Sequence, residues 1–396
     1  MELKTRKTFD PLVVFVKVVA ALLLSKLPFK ERKKRIVLVG GNLGEKYEDN
    51  ASVFHRYLID HYSEEMDIYW MYDPKTTYVK EQGIPNGVSL GSFRNYLLFF
   101  KADYSIHGHS IAYDIAPEID KYIFLNKRTI MIHISHGIEC FKKILIQKED
   151  IPLLARCNYF NCASQYEKNI KLHEWGIPEE KLLVTGMARF DRFGPNRPSK
   201  EVRHILVMFT WREWLFDLSE EEFLNSNYFR STLAIFHNKR MEELISTYNL
   251  HLKVILHPFM KKFEHYFKEI DLRSGKVEFY SFDEISIGKE IIEADMLLTD
   301  YSSISWDFLY MNKPIIFFTF DQEEFLKMRG SYLDLDKNLY GYKANTIEEV
   351  NEYMAKIIIH ENPINPFYRN ASDYIDFFDK NNCERLTMEI FRRKSQ

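Results

Sequence analysis

The first strongly patterned stretch after residue 34 is apolar at nearly every position, Arg35 to Gly40 (RIVLVG), and runs into Gly40-Gly41-Asn42-Leu43-Gly44. A helical period then follows from Ala51 to His61. Strand, glycine loop and helix is the opening unit of a parallel α/β sheet, because a strand buried on both faces reads as a continuous apolar run rather than an alternation. The rhythm repeats at Met66 to Met71, Tyr104 to His107, Thr129 to Ile134, Tyr159 to Ala163 and Lys181 to Thr185. It breaks in the turn-rich segment Phe193-Gly194-Pro195-Asn196-Arg197-Pro198-Ser199. It restarts at His204 to Met208, Leu252 to Leu256, Val277 to Phe279, Met296 to Leu298 and Ile315 to Phe318. Two Rossmann-like halves are predicted, residues 36–198 and 199–396, the second including C-terminal helices. At 396 residues the chain suits two such domains better than one core.

Residues 1–35 differ in kind. Leu12 to Leu24 is apolar except for Lys17, with Lys4, Arg6 and Lys7 before it and Lys26, Lys30, Arg32, Lys33, Lys34 and Arg35 after it. A spanning helix needs about 20 apolar residues, and this run is shorter and interrupted. The pattern predicts a basic amphipathic segment lying on an anionic membrane surface, which makes the protein peripheral (monotopic) at the cytoplasmic face of the membrane.

Composition narrows the chemistry. A formal net charge of -3 supplies no global basic field, so nucleic acid is not an expected partner. Any anionic ligand has to meet a local site. Cys140, Cys157, Cys162 and Cys383 form no CxxC pair, which fits a reducing compartment and packing roles. No metal is expected: His107-Gly108-His109 and His133-Ile134-Ser135-His136 cluster, yet positions three apart on a strand point to opposite faces.

In open parallel sheets ligands bind beyond the carboxyl ends of the strands. That rule selects Thr210-Trp211-Arg212, His257-Pro258 and Asp300-Tyr301-Ser302-Ser303 in the second half. Ile304 to Tyr310 can begin a helix with Ser302 or Ser303 as its N-cap, placing two hydroxyls beside free N–H groups, a setting suited to phosphate. In the first half the rule selects the glycine loop and Ile134-Ser135-His136-Gly137, where glycine leaves room for a ligand. One strand-end histidine in each half predicts paired work across an interdomain cleft.

These residues, in order and spacing, resemble a known family. Asp300-Tyr301-Ser302-Ser303-Ile304-Ser305-Trp306-Asp307-Phe308, preceded by Ala294-Asp295 and followed by Lys313-Pro314-Ile315-Ile316-Phe317, is similar to the signature of the CDP-glycerol glycerophosphotransferases. These enzymes build teichoic acids and related capsule polymers. Asp49-Asn50, Ser135-His136-Gly137, Gly186-Met187-Ala188-Arg189-Phe190-Asp191, Thr210-Trp211-Arg212, His257-Pro258 and Asn382-Cys383-Glu384-Arg385 extend the likeness from about Ile36 to Arg385.

The resemblance implies a GT-B-like α/β fold, two Rossmann-like domains whose parallel sheets face an interdomain cleft. It implies transfer of polyol phosphate, with glycerol favoured, from a CDP-polyol to a lipid-linked saccharide or growing polyol-phosphate polymer, with CMP released and no bound cofactor. His136 and His257 match the family's functional histidines. Thr210, Arg212, Ser302, Ser303 and Asp307 fall on the donor side, and Gly41, Asn42, Asn50 and Gly137 on the acceptor side. The chain departs from the family pattern at Ile138, where threonine is usual, and at Phe141, where lysine is usual and Lys142 and Lys143 follow. A CDP-ribitol donor, a sugar-nucleotide glycosyltransferase on the same scaffold and a non-catalytic membrane scaffold are the rival readings.

Overall fold

The computed structural model describes residues 10–27, 33–148, 150–193, 201–268, 276–360 and 363–392. The turn segment 194–199 and the basic residues Lys4, Arg6, Lys7, Lys30 and Arg32 lie outside them. Among the described residues thirteen strands fall into two sheets, and every strand-to-strand pairing is parallel.

The first sheet contains β1 (Arg35–Gly40), β2 (Met66–Tyr72), β3 (Gly87–Ser89), β4 (Tyr104–His107), β5 (Ile130–His133), β6 (Tyr159–Cys162) and β7 (Leu182–Val184), in the order β3-β2-β1-β4-β5-β6-β7. β1 explains its own position. Ile36 and Leu38 enter one apolar core while Val37 and Val39 enter another on the opposite face, so this strand is covered from both sides. Each such aliphatic side chain contributes roughly 1.5–3 kcal/mol on full burial. The first glycines are sterically required. A Cβ on Gly40 would sit 2.0 Å from the Asp114 carbonyl oxygen, and one on Gly41 would sit 2.7 Å from the Ala51 Cβ, where helix Asp49–Tyr62 packs.

The second sheet contains β8 (His204–Met208), β9 (His251–Leu256), β10 (Val277–Ser281), β11 (Met296–Thr299), β12 (Ile315–Phe318) and β13 (Tyr342–Ala344), in the order β10-β9-β8-β11-β12-β13. β11 is buried along its whole length. The strand order reverses between β1 and β4 in the first sheet and between β8 and β11 in the second. These are the points at which a parallel sheet opens a crevice for a ligand. The short edge strands β3 and β13 were not anticipated from the sequence pattern; three residues carry too little periodicity to stand out.

The chain divides into two compact units: 1–138 with 144–192 and 375–396, and 139–143 with 193–374. This differs from one cut at 198/199 in the boundary itself, which lies at 192/193, and in two further segments. The final helix Asn382–Arg392 belongs to the first unit, tied there by the Asp191 carboxylate, which accepts from the Asn382 N–H (3.0 Å) and the Cys383 N–H (2.8 Å). The segment 139–143 belongs to the second. Lys142 bridges Ser331 there, and Phe141 packs among Tyr301, Trp306, Phe317 and Tyr340.

The amino-terminal apolar run forms α1 (Pro11–Ser25), capped by the Asp10 carboxylate, which accepts from Leu12 N–H. Its spacing places Val14, Val18 and Ala21 on one face, buried against helix Phe93–Lys101, and Lys17 donates to the Gly91 carbonyl (2.8 Å). The internal lysine therefore serves the attachment to the first unit. Leu12, Val16 and Leu23 remain 70%, 58% and 61% exposed. Among the described residues no helix is long and apolar enough to cross a membrane.

Candidate active site

In the first unit the candidate residues follow β1 and β5, which flank β4. Their loops hold a cluster of left-handed backbone at residues other than glycine: Asn42 (φ 48°), Leu43 (φ 54°), Asp49 (φ 68°) and Ser135 (φ 53°). Such conformations cost roughly 1–3 kcal/mol each, persist only where the surroundings impose them, and concentrate at functional sites.

The surroundings here are identifiable. Buried Asn50 donates from Nδ2 to the Ser135 carbonyl (3.0 Å) and accepts at Oδ1 from the Arg189 N–H (2.9 Å). Arg189 then spans the Asp49 carboxylate (2.7 Å) and the His136 carbonyl (2.5 Å). Beneath, buried Lys171 donates to the Ser135 Oγ (3.0 Å) and pairs with Glu167 (3.2 Å). The result is an exposed His136 imidazole on a backbone gripped from both sides, followed by buried Gly137.

Asn42 and Gly41 stand at the end of β1, where the Asn42 amide donates weakly to the Glu48 carbonyl (3.4 Å). Two residues here went unselected in the sequence. Asp114 is fully buried and accepts from the N–H groups of Leu43 (3.0 Å), Gly108 (3.1 Å) and His109 (2.6 Å), joining the β1 and β4 loops. The His109 ring stacks on His136, with centroids 4.4 Å apart and planes 6° apart. Its place beside Gly108 just after a strand is the signal in the sequence, where the histidine cluster otherwise bears only on a metal. Among the described residues no group of three or more His, Cys, Asp or Glu could hold one.

In the second unit the candidates leave three neighbouring strands, β9, β8 and β11. Pro258 ends β9 and opens a short turn from which the Phe259 N–H donates to His257 Nδ1 (3.3 Å). An acceptor at Nδ1 places the proton of the neutral ring on Nε2. Burial, reinforced by the Lys142 charge, pushes the His257 pKa down to about 3, so this imidazole is a neutral Nε2–H donor.

Arg212, expected on the donor side, is held in a buried ion cluster. It is buried, its guanidinium grips Asp321 through two bonds (2.7 and 3.0 Å), and it also donates to Asp300 (2.8 Å) and the Thr210 carbonyl (2.6 Å). Burial pulls its pKa down, but Asp300 and Asp321 outweigh that and hold it above the usual arginine value. Its hydrogen bonds thus organise the β8 and β11 loops. The Thr210 N–H completes the clamp on Asp300 (2.8 Å), while the Thr210 hydroxyl is buried with no hydrogen-bond partner among the described residues.

After Asp300 come Tyr301, which donates to Asp321 (3.1 Å), and then Ser302 and Ser303. The following helix is Ser305–Tyr310, with Ile304 at the N-cap, so neither Ser302 nor Ser303 caps it. Ser305 Oγ instead donates to the Ser302 carbonyl (2.6 Å), leaving cap duty aside. Asp307 is buried in that helix's first turn. Lys142 is half-buried, and burial followed by the Arg329 charge pushes its ammonium down to about 8.

A model of the family described as CDP-Glycerol:Poly(glycerophosphate) glycerophosphotransferase matches residues 22–392. The chain belongs to this family. It is 21% identical over 371 residues to the minor teichoic acid biosynthesis protein GgaB of Bacillus subtilis, a match spanning 86% of this chain but 38% of that protein. A teichoic acid glycerol-phosphate transferase of Staphylococcus aureus is 22% identical over 81% of this chain and 82% of its own length. The solved wall teichoic acid polymerase TagF superposes with a TM-score of 0.68 over 98% of each chain at 17% identity, which shows the shared α/β fold with two parallel sheets.

Proposed function

We propose that this glycerophosphotransferase family member moves a polyol phosphate, with glycerol phosphate favoured, from a CDP-polyol to a lipid-linked saccharide or growing polyol-phosphate polymer. The observation that carries the reading is the placement of His257, Thr210 and Ser302-Ser303 at the ends of three adjacent strands, with the Thr210 hydroxyl buried and unbonded among the protein's described residues. In the reaction, the acceptor hydroxyl oxygen attacks the polyol-bearing phosphorus. A new P–O bond forms as the bond to CMP breaks, and the hydroxyl proton passes to His136. Such phosphoryl transfer needs positioning and charge stabilisation more than a covalent nucleophile.

His136 is the proton acceptor in this scheme because its ring is exposed on an imposed backbone. His257 is the donor of a hydrogen bond to the phosphate or departing CMP, since its proton lies on Nε2. Ser302, Ser303 and Thr210 supply hydroxyls to the donor phosphates, and Asp307 supports the loop or the donor hydroxyls. With Arg212 engaged by two carboxylates, Lys142 supplies the cation. Gly41, Asn42, Asn50 and Gly137 shape the acceptor side.

The same reading places the protein on the cytoplasmic face of an anionic membrane, held by the exposed apolar face of α1 and the basic residues near it. Replacing Leu12, Val16 and Leu23 by glutamate should release the protein from anionic vesicles, whereas α1 itself stays attached through Val14, Val18 and Ala21. Unchanged sedimentation with vesicles would refute the α1 surface. The activity is tested by incubating the protein with CDP-glycerol or CDP-ribitol and a synthetic lipid-linked acceptor. Release of CMP with an extended acceptor is expected. Turnover of sugar nucleotides instead would favour a glycosyltransferase, and inertness toward every CDP-polyol a scaffold.

A further inference from the structure

We propose that His109, held against the Asp114 carboxylate, is a positioning residue that keeps the His136 imidazole oriented and free of a proton. The idea rests on the proposed role of His136 as proton acceptor, and its basis is geometric. The two rings are stacked at 4.4 Å and within 6° of parallel, which fixes the plane of an otherwise exposed side chain. Stacked rings present faces rather than nitrogens to each other, so the pair does not pass a proton from ring to ring. What it shares is charge: two imidazolium rings at this distance repel, and one proton disfavours the second.

The position of that single charge is decided by Asp114. Its Oδ2 lies 3.7 Å from His109 Nδ1, and His109 is the member of the pair in contact with it. The carboxylate is fully buried, which by itself would raise its pKa, but the His109 hydrogen bonding and charge prevail and hold it ionised. A buried carboxylate stabilises positive charge on its neighbour. His109 thus takes the proton first, and its charge keeps His136 in the basic form.

The other ionisable groups around the pair leave this assignment intact. His107, on β4 beside His109, is held neutral by burial, its pKa lowered to about 3. From β5, His133 lies 5.3 Å from His107 by ring centroids rather than on the stacked pair. Arg189 is paired with Asp49 and donates to the His136 backbone carbonyl, and Lys171 is paired with Glu167 beneath Ser135. The topology agrees. His109 follows β4, at the reversal of strand order between β1 and β4, where a crevice opens.

The test is an NMR titration of the His136 ring in the full-length protein, wild type against His109→Phe, which preserves a stacked ring and removes the charge. The His136 pKa should rise, by on the order of half to one unit for a removed charge at this separation in a hydrated setting. The acid limb of the turnover profile should move to higher pH by the same amount. Asp114→Asn should move both in the same direction, because His109 loses its counter-charge, and a thermal melt identifies a variant that fails to fold. A His136 titration unmoved in both folded variants would overturn the proposal. The NMR readout does not need turnover, so if His136→Ala kept full activity the proton-acceptor role would fall while the charge coupling was still judged on its own.

Discussion

The two units solve one problem by different means. Each gathers its candidate groups from parallel strands around a reversal of strand order, β1 and β5 flanking β4 in the first and β9, β8 and β11 in the second. In the first, the loops are fixed by side chains gripping backbone: Asn50 and Lys171 on Ser135, Arg189 on His136, Asp114 on three N–H groups. Backbone strain is accepted and the imidazole is left exposed. In the second, a buried ion cluster, Arg212 with Asp300 and Asp321, fixes the loops, and the groups proposed to meet a ligand are hydroxyls, a neutral histidine and Lys142. The difference teaches where charge belongs. The half assigned to a neutral hydroxyl presents a base, whereas the half assigned to phosphates presents donors and spends its strongest ion pairs on its own architecture.

The largest effect should come from breaking the second unit's ion cluster. Arg212→Ala leaves two buried carboxylates without a counter-charge, and removing one partner of such a cluster costs about 3–5 kcal/mol. Urea unfolding should show that loss, with donor binding lost through the disordered loop. If Arg212→Ala were as stable as wild type yet unable to bind donor, Arg212 would be a ligand residue after all. Next, His136→Ala and His257→Ala should each reduce turnover by a factor on the order of 100 or more at unchanged melting temperature, as loss of an acid-base or charge-stabilising group does. Near-normal turnover in either variant returns that histidine to a packing role.

Acid should separate the units further. His55 and His107 in the first unit and His257 in the second are held neutral, each near pH 3, chiefly by burial. The unfolded chain takes up protons at these positions below about pH 6.5 while the folded chain does not, so stability is complete above that pH and falls as pH drops toward 3. Buried His55 and His107 each contribute up to about 1.4 kcal/mol per pH unit, and partly buried His257 less. Urea midpoints between pH 7 and pH 5 should show the slope, and a shallower one in His107→Phe; an equal slope in that variant would remove His107 from the account. The smallest effect belongs to single hydroxyls. Ser302→Ala or Ser303→Ala should raise the donor KM about tenfold, the worth of one hydrogen bond to a charged group, with little change in stability. A change confined to the acceptor KM would move the loop to the other substrate.

What could be read in the sequence follows from the range of the forces involved. β1 and β11 are apolar runs buried along nearly their whole length, so their pattern announces them, and the residues at their ends follow from one rule about parallel sheets. The two histidines, Thr210 and the paired serines are candidates selected that way. Asp114 was not, because a carboxylate that closes three backbone N–H groups looks in sequence like any exposed aspartate. Arg212 was assigned to phosphate because its partner Asp321 lies 109 positions away, and nothing local marks the pairing. The return of Asn382–Arg392 to the first unit and the inclusion of 139–143 in the second depend likewise on contacts between distant segments, such as Asp191 with Asn382 and Phe141 with Trp306.

The division of labour between the units is tested most directly by calorimetric titration of CDP-glycerol into the wild type, His136→Ala and the double variant Ser302→Ala/Ser303→Ala, with turnover measured on the same samples. The account predicts that His136→Ala binds the nucleotide as the wild type does but fails to turn it over, and that the serine variant loses affinity. Loss of nucleotide binding in His136→Ala, with normal binding in the serine variant, would contradict it.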